Sequence, residues 1–415
     1  MVSARLSALL RLGSYGATTG FIAVIGLVAA AAFISSVGSY SWGILASIQS
    51  AATLFGVVVG FGWGTTGAAE IASMPRDRRP RAYADSLVAR IYLFAITYPV
   101  MVVVMGFLNP SHLDLVLVAS LAYLVPYLGA SWYFVGESRP SRLFLLEVMP
   151  QGLGILTSIG VIILSGSLVA AIAAQLLFNV MAVCAGWIVI RRSSSQRPRL
   201  RWSLRSVGRR LAQQRHPVTT AATSALYVSA PMLILNAVAP GSLAQYAMGD
   251  RLFRVALTIF GPALQFAQGW IPEDGPQGVV YRIKQTMRFT PAIGFVGAMF
   301  IALAGPLAVS VLSQDSIRFG LDLSVPFALV FFVVSMTQIL GLACLVQLGK
   351  AKALANSTVL GAVLGVPMLL VSTLLYGVHG AIWALLASEV IVLIYQARAT
   401  LLEIRRRQLS QPTTS

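Results

Sequence analysis

Residues 244–270, AQYAMGDRLFRVALTIFGPALQFAQGW, form an apolar run long enough to cross a bilayer, yet Asp250, Arg251 and Arg254 stand well inside it. At about 1.5 Å rise per residue, Arg251 lies roughly 13 Å along a helix from the turn signal at Pro240, Gly241 and Ser242, close to mid-membrane. At about 100° per residue, Arg251, Arg254, Thr258 and Gln265 fall within about 60° of one another, with Asp250 and Gln268 at the edge of the same stripe. An ionised side chain at the bilayer centre costs at least about 2.5 kcal/mol even on the most lenient scale. The stripe is therefore expected to face other helices or a wet cavity, not lipid.

Composition extends that reading to the whole chain. Hydrophobic residues make up 57% and charged residues 10% of the 415, and mean hydropathy is +0.80, where a soluble domain carries about 25% charged residues. This is the composition of an all-α integral membrane protein. Apolar runs occur at 12–34, 44–73, 87–108, 113–136, 143–164, 167–190, 218–239, 243–271, 289–312, 323–348, 355–376 and 379–401, which predicts twelve transmembrane helices. The first run is too long for the apolar core of a signal peptide and reads as a retained helix.

The net charge of +17 would suggest nucleic acid in a soluble protein, but here the basic residues occupy short segments between apolar runs. All but three of the 30 fall in alternate connections, beginning with Arg5 and Arg11 and ending with Arg398 and Arg405 to Arg407; the exceptions are Arg251, Arg254 and Arg318. Such one-sidedness orients both termini to the cytoplasm, with no nucleic-acid partner needed. The arginine-rich stretch 191–217 then divides the chain into an N-terminal six-helix lobe (1–190), a basic cytoplasmic linker (191–217), a C-terminal six-helix lobe (218–401) and a cytoplasmic tail (402–415). The linker reads either as a segment lying on anionic headgroups of membrane lipids or as a solvated orientation signal. A short echo, Tyr40 and Gly43 followed by Gly62-Trp63 against Tyr246 and Gly249 followed by Gly269-Trp270, suggests duplicated halves related by an axis along the membrane normal.

Within the second run, Gln49, Thr53, Gly56, Gly60, Gly64 and Gly67 share one face. Two readings stand: close helix packing through small residues, or a cavity wall kept thin for a bulky ligand. Prolines inside the runs (Pro99, Pro126, Pro231, Pro262, Pro326, Pro367) predict kinks.

No catalytic constellation is expected. The chain has no phosphate-binding Gly-rich loop, no HExxH and no G-x-S-x-G elbow. Cys184 and Cys344 sit inside apolar runs, and His112, His216 and His379 lie in or beside connections, so neither a metal site nor a cofactor is indicated. The exterior connections are too short to build the acceptor site of an integral glycan polymerase. What remains is buried charge. Arg251 and Arg254 present two cationic forks suited to a phosphate or diphosphate, and Asp250, four residues before Arg254, can neutralise it within the helix; the rival reading is structural glue. Glu389, halfway along the last run, is the candidate coupling group or an arginine's partner. Glu70, Asp85, Arg90 and Glu147 are expected near the inner interface, paired or hydrated.

With those residues in view, the chain resembles the polysaccharide transporter branch (O-antigen and teichoic-acid exporter type) of the multidrug/oligosaccharidyl-lipid/polysaccharide (MOP) flippase superfamily. The resemblance rests on the opening RLGSYGATTGFIAVIGLVAAAAFISSVGSYSWGILASIQS, the GFGW of the second run and AQYAMGDRLFRVALTIFGPALQFAQGWIPED after a basic linker. It implies a MATE-like architecture of two six-helix lobes about a central cavity in a bacterial inner membrane. It also implies alternating-access movement of a polyprenyl-diphosphate-linked oligosaccharide from the inner to the outer leaflet, with no enzymatic activity. The substrate-binding set is then Arg251, Arg254, Asp250, Thr258, Gln265 and Gln268. The rivals are a cation-coupled multidrug exporter of the same superfamily, disfavoured by a stripe that is net positive, and a non-transporting scaffold that recruits glycan-assembly enzymes through its linker.

Overall fold

Lipid offers no partners to a bare backbone, so spanning segments must satisfy their own N–H and C=O groups, and every regular element among the described residues is helical. A computed structural model of the chain describes residues 2–193, 198, 200, 202–213, 215–273 and 275–409; the side chains of 2–23, 205, 206, 209, 213, 215–217, 219, 220, 276 and 277 lie outside that description. The expectations for Arg5 and Arg11, for Arg197, Arg199, Arg201, Arg205, Arg209 and Arg215 of the linker, and for tail residues 410–415 therefore lie outside the described residues.

The helices are α1 (Val2–Gly60), α2 (Trp63–Ser73), α3 (Arg79–Leu108), α4 (Leu113–Leu124), α5 (Ser131–Gly136), α6 (Pro140–Leu143), α7 (Met149–Ser165), α8 (Leu168–Arg192), α9 (Leu204–Gln213), α10 (Arg215–Val238), α11 (Leu243–Trp270), α12 (Gly275–Ser313), α13 (Leu321–Gln338) and α14 (Ala351–Leu409). Wide π-helical turns precede α7 (Phe144–Val148) and follow α13 (Ile339–Leu345). Among the described residues, nine segments are long and apolar enough to cross a membrane. Two of them contain a glycine outside helical geometry: Gly38 of α1 (φ 83°, ψ 162°) and Gly377 of α14 (φ 58°, ψ −134°). Both glycines fall where the sequence expects exterior connections. α11 is long enough to cross but too polar to count among the nine.

The second run differs from its expectation. It breaks midway, because Phe61 (φ 39°) and Gly62 (φ 83°) take left-handed geometry between α1 and α2, and the hydroxyls of Thr65 and Thr66 donate to the Gly62 carbonyl at 2.8 and 3.2 Å. The Gly62-Trp63 pair thus opens a helix, whereas Gly269-Trp270 closes one. α3, α10, α11, α13 and α14 continue through Pro99, Pro231, Pro262, Pro326 and Pro367, while Pro126 sits in a 3-10 turn, Val125–Leu128. The break within the second run falls where φ turns positive, a conformation that costs glycine little.

Two units are distinguished, Met1–Asn236 and Ala237–Ser415. In the first, Trp63, Tyr83, Trp132, Tyr133 and Phe134 form an aromatic core that also takes Ile190 and Val207. Val207 belongs to α9, so part of the basic linker is a helix docked on this unit. Arg210 of α9 is salt-bridged to Asp85 of α3 at 2.5 Å, and Trp202 meets Tyr92 edge-on, centroids 5.7 Å apart. α10 as far as Asn236 also belongs here, with the Ser229 hydroxyl donating to the Ser50 carbonyl at 2.9 Å.

In the second unit α11 packs on α13 through aromatic rings, with Tyr246 against Phe327 and Phe260 against Phe331. Its tightest approach is at the Gly377 turn, where a Cβ on Gly380 would meet the Ser372 carbonyl oxygen at 1.8 Å. Gly380→Ala is accordingly expected to destabilise the protein by about 1–3 kcal/mol, the usual cost of overpacking. Gly160→Ala of α7, where a Cβ meets nothing within 4 Å, should be neutral or slightly stabilising. Comparing the thermal midpoints of the two variants in detergent checks the contrast.

Candidate functional site

The site grows from the two faces of α11. A 3-10 turn, Pro240–Ser242, starts the helix, and Tyr246, Gly249, Phe260 and Ala267 form its buried face. Gly249 is there because α13 leaves no room: a Cβ would lie 2.1 Å from a Phe327 ring carbon. With that face committed to α13, the polar residues are turned elsewhere by the helical repeat.

On the polar stripe, Arg254 Nε donates to Asp250 Oδ2 at 2.6 Å, with the two side chains 49% and 20% exposed. The bond uses Nε and leaves the two Nη groups of the guanidinium out of it. Asp before Arg at this spacing also suits the helix dipole. The Thr258 hydroxyl donates to the Arg254 carbonyl at 2.9 Å, and Gln268 Nε2 approaches the carbonyl of Leu342, in the second π-helical turn, at 3.5 Å. Gln265 is exposed. Arg251 is half-buried and takes part in interactions of its own, as does Glu389 on α14. The structure thus joins Asp250, Arg254 and Thr258 by direct hydrogen bonds along one face, and sets Gln268 against the end of α13.

Continuing along α11, an apolar cavity of about 360 Å³ opens between it, α12 and Ile339, walled by Phe260, Phe266, Trp270, Phe289 and Ile293, with Gln285, Thr286 and Thr290 the polar residues from α12. Trp270, at one end of that wall, carries the Arg282 guanidinium 4.9 Å over its ring, and Arg282 is bonded to Glu273 at 2.9 Å.

The first unit holds a second charged centre. Arg90 and Glu147, expected to be paired or hydrated, are 1% and 3% exposed, and their partners are backbone groups. Arg90 Nη1 donates to the carbonyls of Tyr127 (3.0 Å) and Gly129 (2.8 Å), where the 3-10 turn frees them. Its guanidinium lies 5.4 Å from the Tyr83 ring centroid and 5.6 Å from that of Trp132. Glu147 accepts from the Ala130 amide at 2.5 Å. A cavity of about 390 Å³ is lined by both residues with Gly60, Gly64, Tyr127 and Gln151. This resolves the glycine face of the second run in two parts. Gly56 and Gly67 are packing glycines, their Cβ positions taken by Tyr127 (2.2 Å) and Trp132 (2.5 Å), while Gly60 and Gly64 form a thin cavity wall. The available signal was the turn sequence around Pro126 and Gly129, which takes the carbonyls of Tyr127 and Gly129 out of the helical ladder and calls for a buried donor.

This fold is found among known transporters. The chain is similar to a multidrug resistance MATE family transporter of the MOP superfamily in its inward-facing conformation (TM-score 0.68, 16% identity, covering 95% of this chain and 96% of that one). It is also similar to the lipid II flippase MurJ in an inward closed conformation (TM-score 0.65, 11% identity, 94% and 89%), and to a eukaryotic MATE transporter (TM-score 0.61, 11% identity, 97% and 98%). No family model and no curated protein matches the chain. The fold is therefore that of the MOP-superfamily membrane transporters. At these identities the likeness defines the fold alone.

Proposed function

We propose that the chain is a flippase that moves a polyprenyl-diphosphate-linked oligosaccharide, a precursor of cell-surface polysaccharide, across a bacterial inner membrane by alternating access. Twelve crossings follow if α1 and α14 each cross twice, about Gly38 and Gly377, and α11 crosses despite its charge. The distribution of basic residues then puts both termini in the cytoplasm. The observation that carries the cargo reading is the α11 stripe, where Arg254 donates to Asp250 through Nε and keeps its two Nη groups out of that bond, with Arg251 three residues before it. Guanidinium forks placed this way suit an anionic phosphate head. The likeness to a lipid II flippase is in keeping with it. An inside-negative potential favours outward movement of the anion by about 2.3 kcal/mol per charge per 100 mV, and Glu389 is the residue proposed for any proton coupling.

The second reading, a cation-coupled multidrug exporter, is favoured by the aromatic walls of the 360 Å³ cavity and by the likeness to MATE transporters. Proteoliposomes discriminate the two. The purified chain is expected to expose a fluorescent polyprenyl-diphosphate sugar to an external quencher or hydrolase faster than empty vesicles do, and to leave cationic dyes untransported. Dye transport without lipid flipping would reverse the assignment.

A further inference from the structure

We propose that the first unit carries a separate binding site for a phosphate-ester anion where three helix connections meet. Arg76 comes from the turn between α2 and α3 and Arg79 from the first residue of α3, Glu137 and Arg139 from the turn between α5 and α6 and Arg142 from α6, and Ser193 from the end of α8; together they enclose a polar cavity of about 150 Å³. A phosphate group fits that volume with room for water.

The charge balance points to an anion. Four guanidinium groups surround a single carboxylate, and that carboxylate does not engage them closely. Arg139 Nε and Arg142 Nη1 stand 3.8 and 3.9 Å from Glu137 Oε2, which is beyond hydrogen-bond length, and Oε2 is buried with no hydrogen-bond partner among the described residues. The other oxygen accepts from the Tyr133 hydroxyl at 3.3 Å. Arg79 is committed to backbone: its Nε and Nη2 donate to the carbonyls of Met74 (2.9 Å) and Ala72 (3.3 Å), so it caps the end of α2 and lends the site mainly its charge. Arg76, Arg139 and Arg142 are the groups that would bind.

Guanidinium forks match phosphate oxygens in pairs. An oxyanion here would replace long-range attraction to Glu137 with short charge-assisted bonds. It would also tie the two turns to each other, since Arg76 and the Arg139–Arg142 pair come from different connections. A plain orientation signal requires only that arginines be present and solvated. It does not require them to converge on a concavity whose central carboxylate is 14% exposed. The same chemistry is supplied by a phospholipid headgroup of the adjoining leaflet or by a free phosphate in solution.

The test uses the full chain in two settings. In detergent it is titrated with inorganic phosphate, and in nanodiscs of phosphatidylcholine alone or doped with phosphatidylglycerol its bound lipids are counted by native mass spectrometry. Wild type is expected to retain phosphatidylglycerol selectively if the source is lipid, or to be stabilised thermally by phosphate if the source is soluble. R76Q/R139Q/R142Q is expected to lose about tenfold or more in affinity, from the loss of charge-assisted bonds. E137Q, which removes the competing negative charge, is expected to gain several-fold. Opposite signs from neighbouring substitutions cannot both arise from misfolding. Should the triple variant fail to fold, the single exposed substitution R76Q is expected to weaken binding about threefold. Equal binding by wild type and variants, or no response to either ligand, overturns the proposal.

Discussion

Replacing Arg251 and Arg254 together by alanine is expected to lower lipid-diphosphate flipping by about 100-fold or more, with protein level and folding close to wild type. Each lost charge-assisted contact to phosphate is worth about 1.5–3 kcal/mol, and two such losses carry the effect past two powers of ten. Folding survives because Arg254 is half exposed and α11 is held by its opposite face through Tyr246, Gly249 and Phe260. Asp250→Asn separates this role from structural glue. If the 2.6 Å pair exists only to hold α11, removing either partner should harm stability and transport alike. If Arg254 is an anion ligand that Asp250 restrains, Asp250→Asn should preserve transport and tighten substrate binding. The measurements are flipping rate in proteoliposomes and, in cells, the pool of lipid-linked intermediate at matched protein level. An unchanged rate in the double alanine variant would remove the arginines from the mechanism.

The second large effect concerns stability. Arg90→Met is expected to cost about 3–5 kcal/mol, the range for breaking a buried charged arrangement by removing one member. Methionine fills much of the volume but strands the carbonyls of Tyr127 and Gly129, which now share Nη1 at 3.0 and 2.8 Å, and leaves the buried Glu147 without a cation nearby. Arg90→Lys keeps the charge but not the planar group set near the Tyr83 and Trp132 rings, so it should fall between. Thermal midpoints by fluorescence-detected gel filtration give the ordering. A methionine variant as stable as wild type would show that the turn at Val125–Leu128 holds without its internal donor.

Much of the architecture was legible in the sequence because hydropathy and charge placement act over whole segments. The apolar runs, the turns at Gly38 and Gly377 and the stripe of α11 all follow from composition and the helical repeat. What escaped depends on one or two residues making long-range contacts. Nothing in the periodicity of the second run announces a break at Phe61–Gly62 inside an apolar stretch. The linker read as a segment on lipid headgroups or a solvated signal because Val207 and Trp202 are isolated apolar residues among arginines, and their value appears only once Tyr92 and the Trp132 cluster stand opposite them. The burial of Arg90 comes from neighbouring turns that fold over it, which the sequence of its own helix does not announce.

The two wide turns, Phe144–Val148 and Ile339–Leu345, each accommodate one residue more than a regular helical path requires. Glu147 sits inside the first, and the Leu342 carbonyl that faces Gln268 inside the second. Excising a single residue from either would let the turn close to ordinary α-helix while the faces on both sides keep their direction. The change would be local: the Glu147 carboxylate would lose the widened turn that sets it on the Ala130 amide, and the Leu342 carbonyl would be drawn back into the regular helical ladder and away from Gln268. A one-residue deletion at either point is therefore expected to leave the outline of the helix intact and to show itself in those polar contacts, although neither position would look special to a survey of side-chain chemistry alone.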